Sequence, residues 1–216
     1  MQLPLDLGHR PALGRADFLV APSNAEAIAW IDRWPHWPAP ALALHGAAGS
    51  GKTHLAQVFA SRTGAARIDP AQLKTERIPA LLGDASAAIV DEADRAAAKP
   101  LLHLYNLVAE RRGHLLVVAR RPPARWRIRL ADLRSRLRAA PAVAVAPPDD
   151  ALIAAVLVKL FADRQLAISE EVVVYLSLHL ERSFAAAQSA VAVLDTAALA
   201  EQRRITVPLV KRVLGF

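Results

Sequence analysis

Gly46-Ala47-Ala48-Gly49-Ser50-Gly51-Lys52-Thr53 spells G-x-x-x-x-G-K-[ST], the pattern of a loop that wraps phosphate. Ala41-Leu42-Ala43-Leu44 precedes it, short and apolar, and predicts a buried strand. His54-Leu55-Ala56-Gln57-Val58-Phe59-Ala60 follows, apolar at 55, 58 and 59, and predicts a helix. Glycine suits such a loop because backbone N–H groups must turn inward onto phosphate with no Cβ in the way. Lys52 supplies a point charge for the β- and γ-phosphates, the Thr53 hydroxyl is a ligand for Mg²⁺, and the helix N-terminus adds its positive dipole end. The expected cofactors are ADP or ATP with Mg²⁺, held by residues 46–54, from Gly46 to His54.

A second stretch, Ala87-Ala88-Ile89-Val90-Asp91-Glu92, is a small-to-apolar run ending in two carboxylates. It predicts a buried parallel strand whose C-terminal end opens on the same site. Asp91 is placed to hold Mg²⁺ through water, and Glu92 to orient and polarise an attacking water. The two motifs together predict Mg-nucleotide binding and hydrolysis.

The 216 residues suit one domain with a small appended subdomain, and 54% hydrophobic content allows a sizeable core. The chain has no cysteine, which excludes disulfides and cysteine metal sites and fits a reducing cytoplasm. No signal peptide is expected, nor any run approaching the roughly 20 apolar residues of a membrane span. A net charge of +7 suggests an acidic partner. The basic excess is nearly all arginine, lysine standing only at 52, 74, 99, 159 and 211. With alanine also abundant, a GC-rich coding sequence explains that bias as well, so charge alone does not argue for DNA binding.

Further strands are predicted near 65–68, 87–91, 115–119 and 142–146, and helices over 24–34, 54–62, 71–82 and 98–112. Alternating strands and helices predict an α/β parallel sheet flanked by helices. Pro147-Pro148-Asp149-Asp150 marks a boundary, beyond which the period is helical only. Leu152, Ile153, Val156, Leu157, Leu160 and Phe161 form one stripe, and Val172, Val173, Leu176 and Leu180 a second. Ser169 is placed as an N-cap, a long alanine-rich helix follows over 183–202, and Thr206 caps a last short one. The expected organisation is an N-terminal peptide at 1–8, an α/β nucleotide-binding subdomain at 9–148 and an all-α lid at 149–216.

That division, with Gly51-Lys52-Thr53-His54-Leu55 and Leu102-His103-Leu104-Tyr105-Asn106, resembles the AAA+ module of the bacterial replication initiator DnaA. It is more similar still to the Hda proteins, which keep that module without a DNA-binding domain. Arg121-Pro122-Pro123, Leu133-Arg134-Ser135-Arg136-Leu137 and Ile205-Thr206-Val207-Pro208-Leu209-Val210-Lys211 carry the same likeness. The resemblance implies that Arg136 is an arginine finger acting on a neighbouring subunit's γ-phosphate. Arg182 falls on the sensor 2 position, expected to touch the β- and γ-phosphates. The sensor 1 position, polar in the family, is Ala119-Arg120, and Arg120 cannot orient a water as an acid or amide does. The chain's own hydrolysis is therefore expected to be weak. His103 and Asn106 are expected to hold helix packing.

Gln2-Leu3-Pro4-Leu5-Asp6-Leu7 is similar to peptides that dock on the DNA polymerase sliding clamp. Gln2 offers an amide and Leu3, Leu5 and Leu7 offer apolar side chains, on a proline-stiffened strand with little entropy to lose. The resemblance implies a clamp-associated regulator that stimulates ATP hydrolysis by DnaA, cytoplasmic and near the replisome, contacting DNA through the clamp and not a membrane. Monomer and homodimer both remain open. The alternative is a DNA-binding helper ATPase, such as a helicase loader or transposition accessory protein; no helix-turn-helix is expected beyond the lid.

Overall fold

A computed structural model describes residues 19–201 and 203–216. Gln2, Leu3, Leu5 and Leu7, the expected clamp peptide, lie outside the described residues. The chain runs α1 (Ala25–Asp32), β1 (Ala41–His45), α2 (Lys52–Thr63), β2 (Ala66–Ile68), α3 (Ile78–Leu82), β3 (Ala87–Val90) and α4 (Ala98–Glu110). It continues through β4 (His114–Ala119), α5 (Ala131–Ala139), β5 (Ala142–Ala144), α6 (Asp150–Asp163), α7 (Glu170–His179), α8 (Phe184–Glu201) and α9 (Val207–Leu214).

The five strands pair in parallel in the order β2-β3-β4-β1-β5. Alternate side chains of a strand point to opposite faces, so each apolar run serves two cores. Ala41, Ala43, Ala88, Val90, Leu115 and Val117 meet Leu101, Leu104 and Val108 of α4 and Leu133 and Leu137 of α5. Leu42, Leu44, Ile89, Leu116 and Val118 meet Ile28 and Ile31 of α1 and Leu55 and Phe59 of α2. Burial on both faces explains why these strands are apolar without alternation. Phe59, fully buried, stacks on Trp37 with centroids 5.3 Å apart. Burying such a ring stabilises the fold by about 1.5–3 kcal/mol, and it fixes α2, whose first residue is Lys52.

The predicted helix at 71–82 is the main departure. Pro70–Gln72 and Thr75–Arg77 are separate 3₁₀ turns, and only Ile78–Leu82 is α-helical. Leu73 and Lys74 between them are extended, which carries Leu73 into the core at 3% exposure. His103 and Asn106 are exposed, on the side of α4 away from Leu101, Leu104, Tyr105 and Val108, so they do not hold packing as expected.

α6 to α9 form a helical lid with its own core, including Ile153, Leu157, Phe161, Val172, Leu176, Val191, Leu194, Leu209 and Val210. Asp149 caps α6, its Oδ1 accepting from the Leu152 N–H at 2.8 Å. Ser169 and Thr206 stand at the predicted N-cap positions, but neither side chain makes a capping hydrogen bond. No helix among the described residues is long and apolar enough to cross a membrane.

Candidate nucleotide-binding site

Three neighbouring strands deliver the site. β1 leads into the glycine loop, Asp91 follows the last residue of β3 and Arg120 that of β4, and β4 lies between the other two. The Gly46 N–H donates to the Ala119 carbonyl at 3.3 Å, tying the loop to the end of β4. Ala48, Lys52, Thr53, Asp91, Glu92, Asp94, Arg95, Ala119 and Arg120 line a cleft of about 440 Å³, a size usual for small-molecule sites.

Gly49 and Gly51 sit at φ +74° and +93°, in the region L side chains avoid. A Cβ on Gly49 would lie 2.5 Å from the Ser183 Cβ, and one on Gly51 would lie 2.8 Å from the Phe184 ring. The loop therefore presents bare backbone to the lid as well as to the cleft. Lys52 is buried, its Nζ donating to the Ala47 carbonyl at 2.5 Å and to Ser50 Oγ at 3.2 Å. Burial holds its pKa below the ordinary 10.5; Asp91 opposes that shift and Arg120 adds to it.

Thr53 Oγ1 donates to Asp91 Oδ2 at 2.8 Å, and Asp91 Oδ1 accepts from the Glu92 N–H at 2.9 Å. A hydroxyl and a carboxylate side by side are hard oxygen donors of the kind that suit Mg²⁺ with its remaining waters. Glu92 lies in the left-handed region at φ 50°, and its Oε2 is paired with Arg95 Nη1 at 2.7 Å. Arg120 opens into the cleft beside both carboxylates. His54 follows Thr53 in the first turn of α2, exposed and outside the cleft lining.

The other two arginines lie elsewhere. Arg182 precedes α8 by two residues and does not line the cleft; it pairs with Asp150 of α6, Nε to Oδ1 at 2.8 Å. Arg136, on α5, pairs with Asp132 at 2.9 Å and lies over the Tyr105 ring, 5.5 Å from its centroid. It too lies outside the cleft lining. Ser183 and Phe184 were not anticipated as site residues. The Phe184 N–H donates to the Gly49 carbonyl at 3.3 Å, joining lid to loop. Its sequence signal was one aromatic residue opening an otherwise alanine-rich helix.

Residues 150–214 match the family described as Hda, lid domain. Domain III of the Thermotoga maritima replication initiation protein DnaA superposes with a TM-score of 0.82 at 16% identity, covering 92% of this chain and 93% of that one. AMPPCP-bound DnaA from Aquifex aeolicus gives 0.69 at 15% identity, covering 85% of this chain and 65% of that one. A Thermotoga maritima RuvB mutant gives 0.68 at 15% identity, over 89% and 67% of the two chains. The α/β sheet with its helical lid thus has the AAA+ fold of these structures, and residues 150–214 are similar to the Hda lid domain.

Proposed function

We propose that this chain is a regulator of replication initiation that binds ADP or ATP with Mg²⁺ and acts chiefly on a partner ATPase. The observation that carries the reading is a separation of charges. Lys52 with the loop backbone, suited to phosphate, and the hydrogen-bonded Thr53–Asp91 pair, suited to a cation, line one cleft. Its water-handling side is compromised, since Glu92 is paired with Arg95 and Arg120 stands where a water-orienting group would be. Arg136 meanwhile lies outside the cleft, in an exposed pair with Asp132 of a kind worth only about 0–1 kcal/mol. Such a guanidinium is easily released to a neighbouring molecule.

Two of the similar DnaA structures hold AMPPCP, which supports an adenine nucleotide here. Mg²⁺ when bound neutralises phosphate charge, and Thr53 and Asp91 would hold it. Lys52 and the loop N–H groups would hold the phosphates, with Arg182 near the loop through Ser183 and Phe184. The partner is DnaA: Arg136 would reach its γ-phosphate, an effect worth about 10³–10⁵-fold in rate for arginine fingers. Residues 2–7 would bring the chain to the sliding clamp on DNA, in the cytoplasm, with DNA contacted through the clamp. Self-association into a homodimer is compatible with this scheme.

The test follows labelled ATP on DnaA with clamp-loaded DNA present. The parent protein is expected to speed conversion to ADP, and Arg136→Ala to lose that effect while still binding nucleotide. Equal conversion with parent, variant and no added protein would reject the regulatory reading in favour of a DNA-binding helper ATPase.

A further inference from the structure

Residues 121–138 hold seven arginines and one acid, Asp132, so six of the chain's seven net positive charges lie within 18 residues. A compositional bias toward arginine would act along the whole chain, yet outside this stretch basic and acidic residues nearly cancel. The fold then turns these charges outward together. Trp126, Ile128 and Leu130 pack against the core that includes α4 and α5, while Arg125, Arg127 and Arg129 are exposed. On α5, Leu133 and Leu137 are buried, and Arg134 and Arg138, about one turn apart, are exposed. Arg134 Nη1 donates to the Ile128 carbonyl at 3.3 Å, which joins the helix to the preceding loop in one basic surface. Asp132 is taken by Arg136. The side chains of Arg121, Arg125, Arg127, Arg129 and Arg138 make no hydrogen bond or ion pair among the described residues. Like charges one helical turn apart destabilise a helix, so the fold itself gains nothing from this crowding.

The chemistry of the surface says what covers it. A protein partner's interface is built around a desolvated apolar centre with charge at its rim. The exposed large apolar side chains among the described residues all belong to the lid, from Val158 to Phe216. Between its guanidinium groups the basic surface exposes small residues, Ala124, Ala131, Ser135 and Ala139, which let a phosphate backbone come close. A single strand would need exposed rings to stack its bases. Trp126 is half-buried with its Nε1 donating to the Arg121 carbonyl at 2.7 Å, and the Tyr105 ring lies under Arg136. A duplex needs no such ring, since it presents closely spaced phosphates that guanidinium groups contact without reading bases. We propose that residues 121–138 form a sequence-independent docking surface for the phosphate backbone of duplex DNA, contacted directly by this chain. This goes beyond the regulatory reading, in which DNA is reached through the clamp, and does not depend on it.

The full chain is titrated into a short labelled DNA duplex over a range of salt concentrations, with fluorescence anisotropy as the readout. Arg127→Ala, Arg129→Ala, Arg138→Ala and the triple variant are run beside the parent. Each contacted phosphate contributes about −0.9 to the slope of log K against log salt. Each single variant is therefore expected to flatten the slope by about one and the triple by about three, equally for duplexes of different sequence. The single strand is expected to bind more weakly than the duplex. Unfolding temperatures without DNA are expected not to fall, because all three side chains are exposed. A parent that does not bind the duplex at low salt, or a triple variant that keeps the parent's slope, would overturn the assignment. So would tighter binding of the single strand or of an acidic peptide. The fate of ATP on DnaA is a separate readout, and its failure would count against the regulatory reading alone.

Discussion

Removing the Lys52 ammonium takes away the one buried cation of the glycine loop, and the backbone donors left behind carry only partial charges. Lys52→Ala is expected to weaken ADP and ATP together by about 100-fold or more, read by calorimetry. Lys52 sits at the loop's base, so both nucleotides need it. Unchanged affinities in Lys52→Ala would remove the phosphate assignment. That Lys52, Thr53 and Asp91 line one cleft was legible in the sequence, because their placement depends on local spacing and on strand ends. The Glu92–Arg95 pair and the Asp150–Arg182 pair were not. The first needs the left-handed turn at Glu92, and the second joins residues 32 positions apart.

Where α8 meets the loop, two costs combine. Gly51→Ala would place a Cβ in a left-handed conformation, costing about 1–2 kcal/mol, and would drive it against Phe184. Phe184→Ala removes that obstacle but also removes ring packing between lid and loop. Chemical denaturation is expected to show Gly51→Ala destabilised, with Phe184→Ala in the same chain recovering the steric part only. Strict additivity of the two substitutions would show that the ring and the loop do not meet. A second element-level expectation concerns β4, whose first residue, His114, packs edge-on against Trp37 at 5.3 Å and Trp34 at 6.2 Å. Burial lowers its pKa below 6.5, the Pro35 carbonyl opposing and His36 assisting. The unfolded chain therefore binds the proton more readily, and stability falls as pH drops below about 6.5 toward the folded value. His114→Gln is expected to flatten that part of the profile, measured as Tm between pH 5 and 7.5; an unaltered slope would remove His114 as its source. Neither contact was legible from periodicity, which gives strands and faces but not which ring meets which. The broken helix at 71–82 failed for a related reason: Leu73 is drawn into the sheet's core, and burial overrode the local pattern.

At the scale of the whole molecule, the proposed function asks three parts to act in series. On that proposal the cleft would set shape through the Gly49–Phe184 hydrogen bond to the lid, residues 2–7 would bring the chain to the clamp, and Arg136 would act on a partner's phosphate. Arg136 lies outside the cleft lining, so its substitution and those in the cleft should act independently. Changing Gln2, Leu3 and Leu5 together to alanine is expected to abolish capture on immobilised clamp while leaving nucleotide affinity unchanged. Arg136→Ala is expected to do the reverse of a tethering defect: clamp capture and nucleotide affinity persist, yet DnaA keeps its ATP. The distinguishing measurement adds both variants in large excess to ATP-bound DnaA. Excess replaces tethering by mass action, because a clamp peptide contributes local concentration and not chemistry. The tail variant should then regain part of its stimulation and Arg136→Ala none. If excess rescued Arg136→Ala as well, the guanidinium would be a docking contact and not a group acting on the γ-phosphate; if the tail variant captured clamp like the parent, the tether would lie elsewhere in the chain.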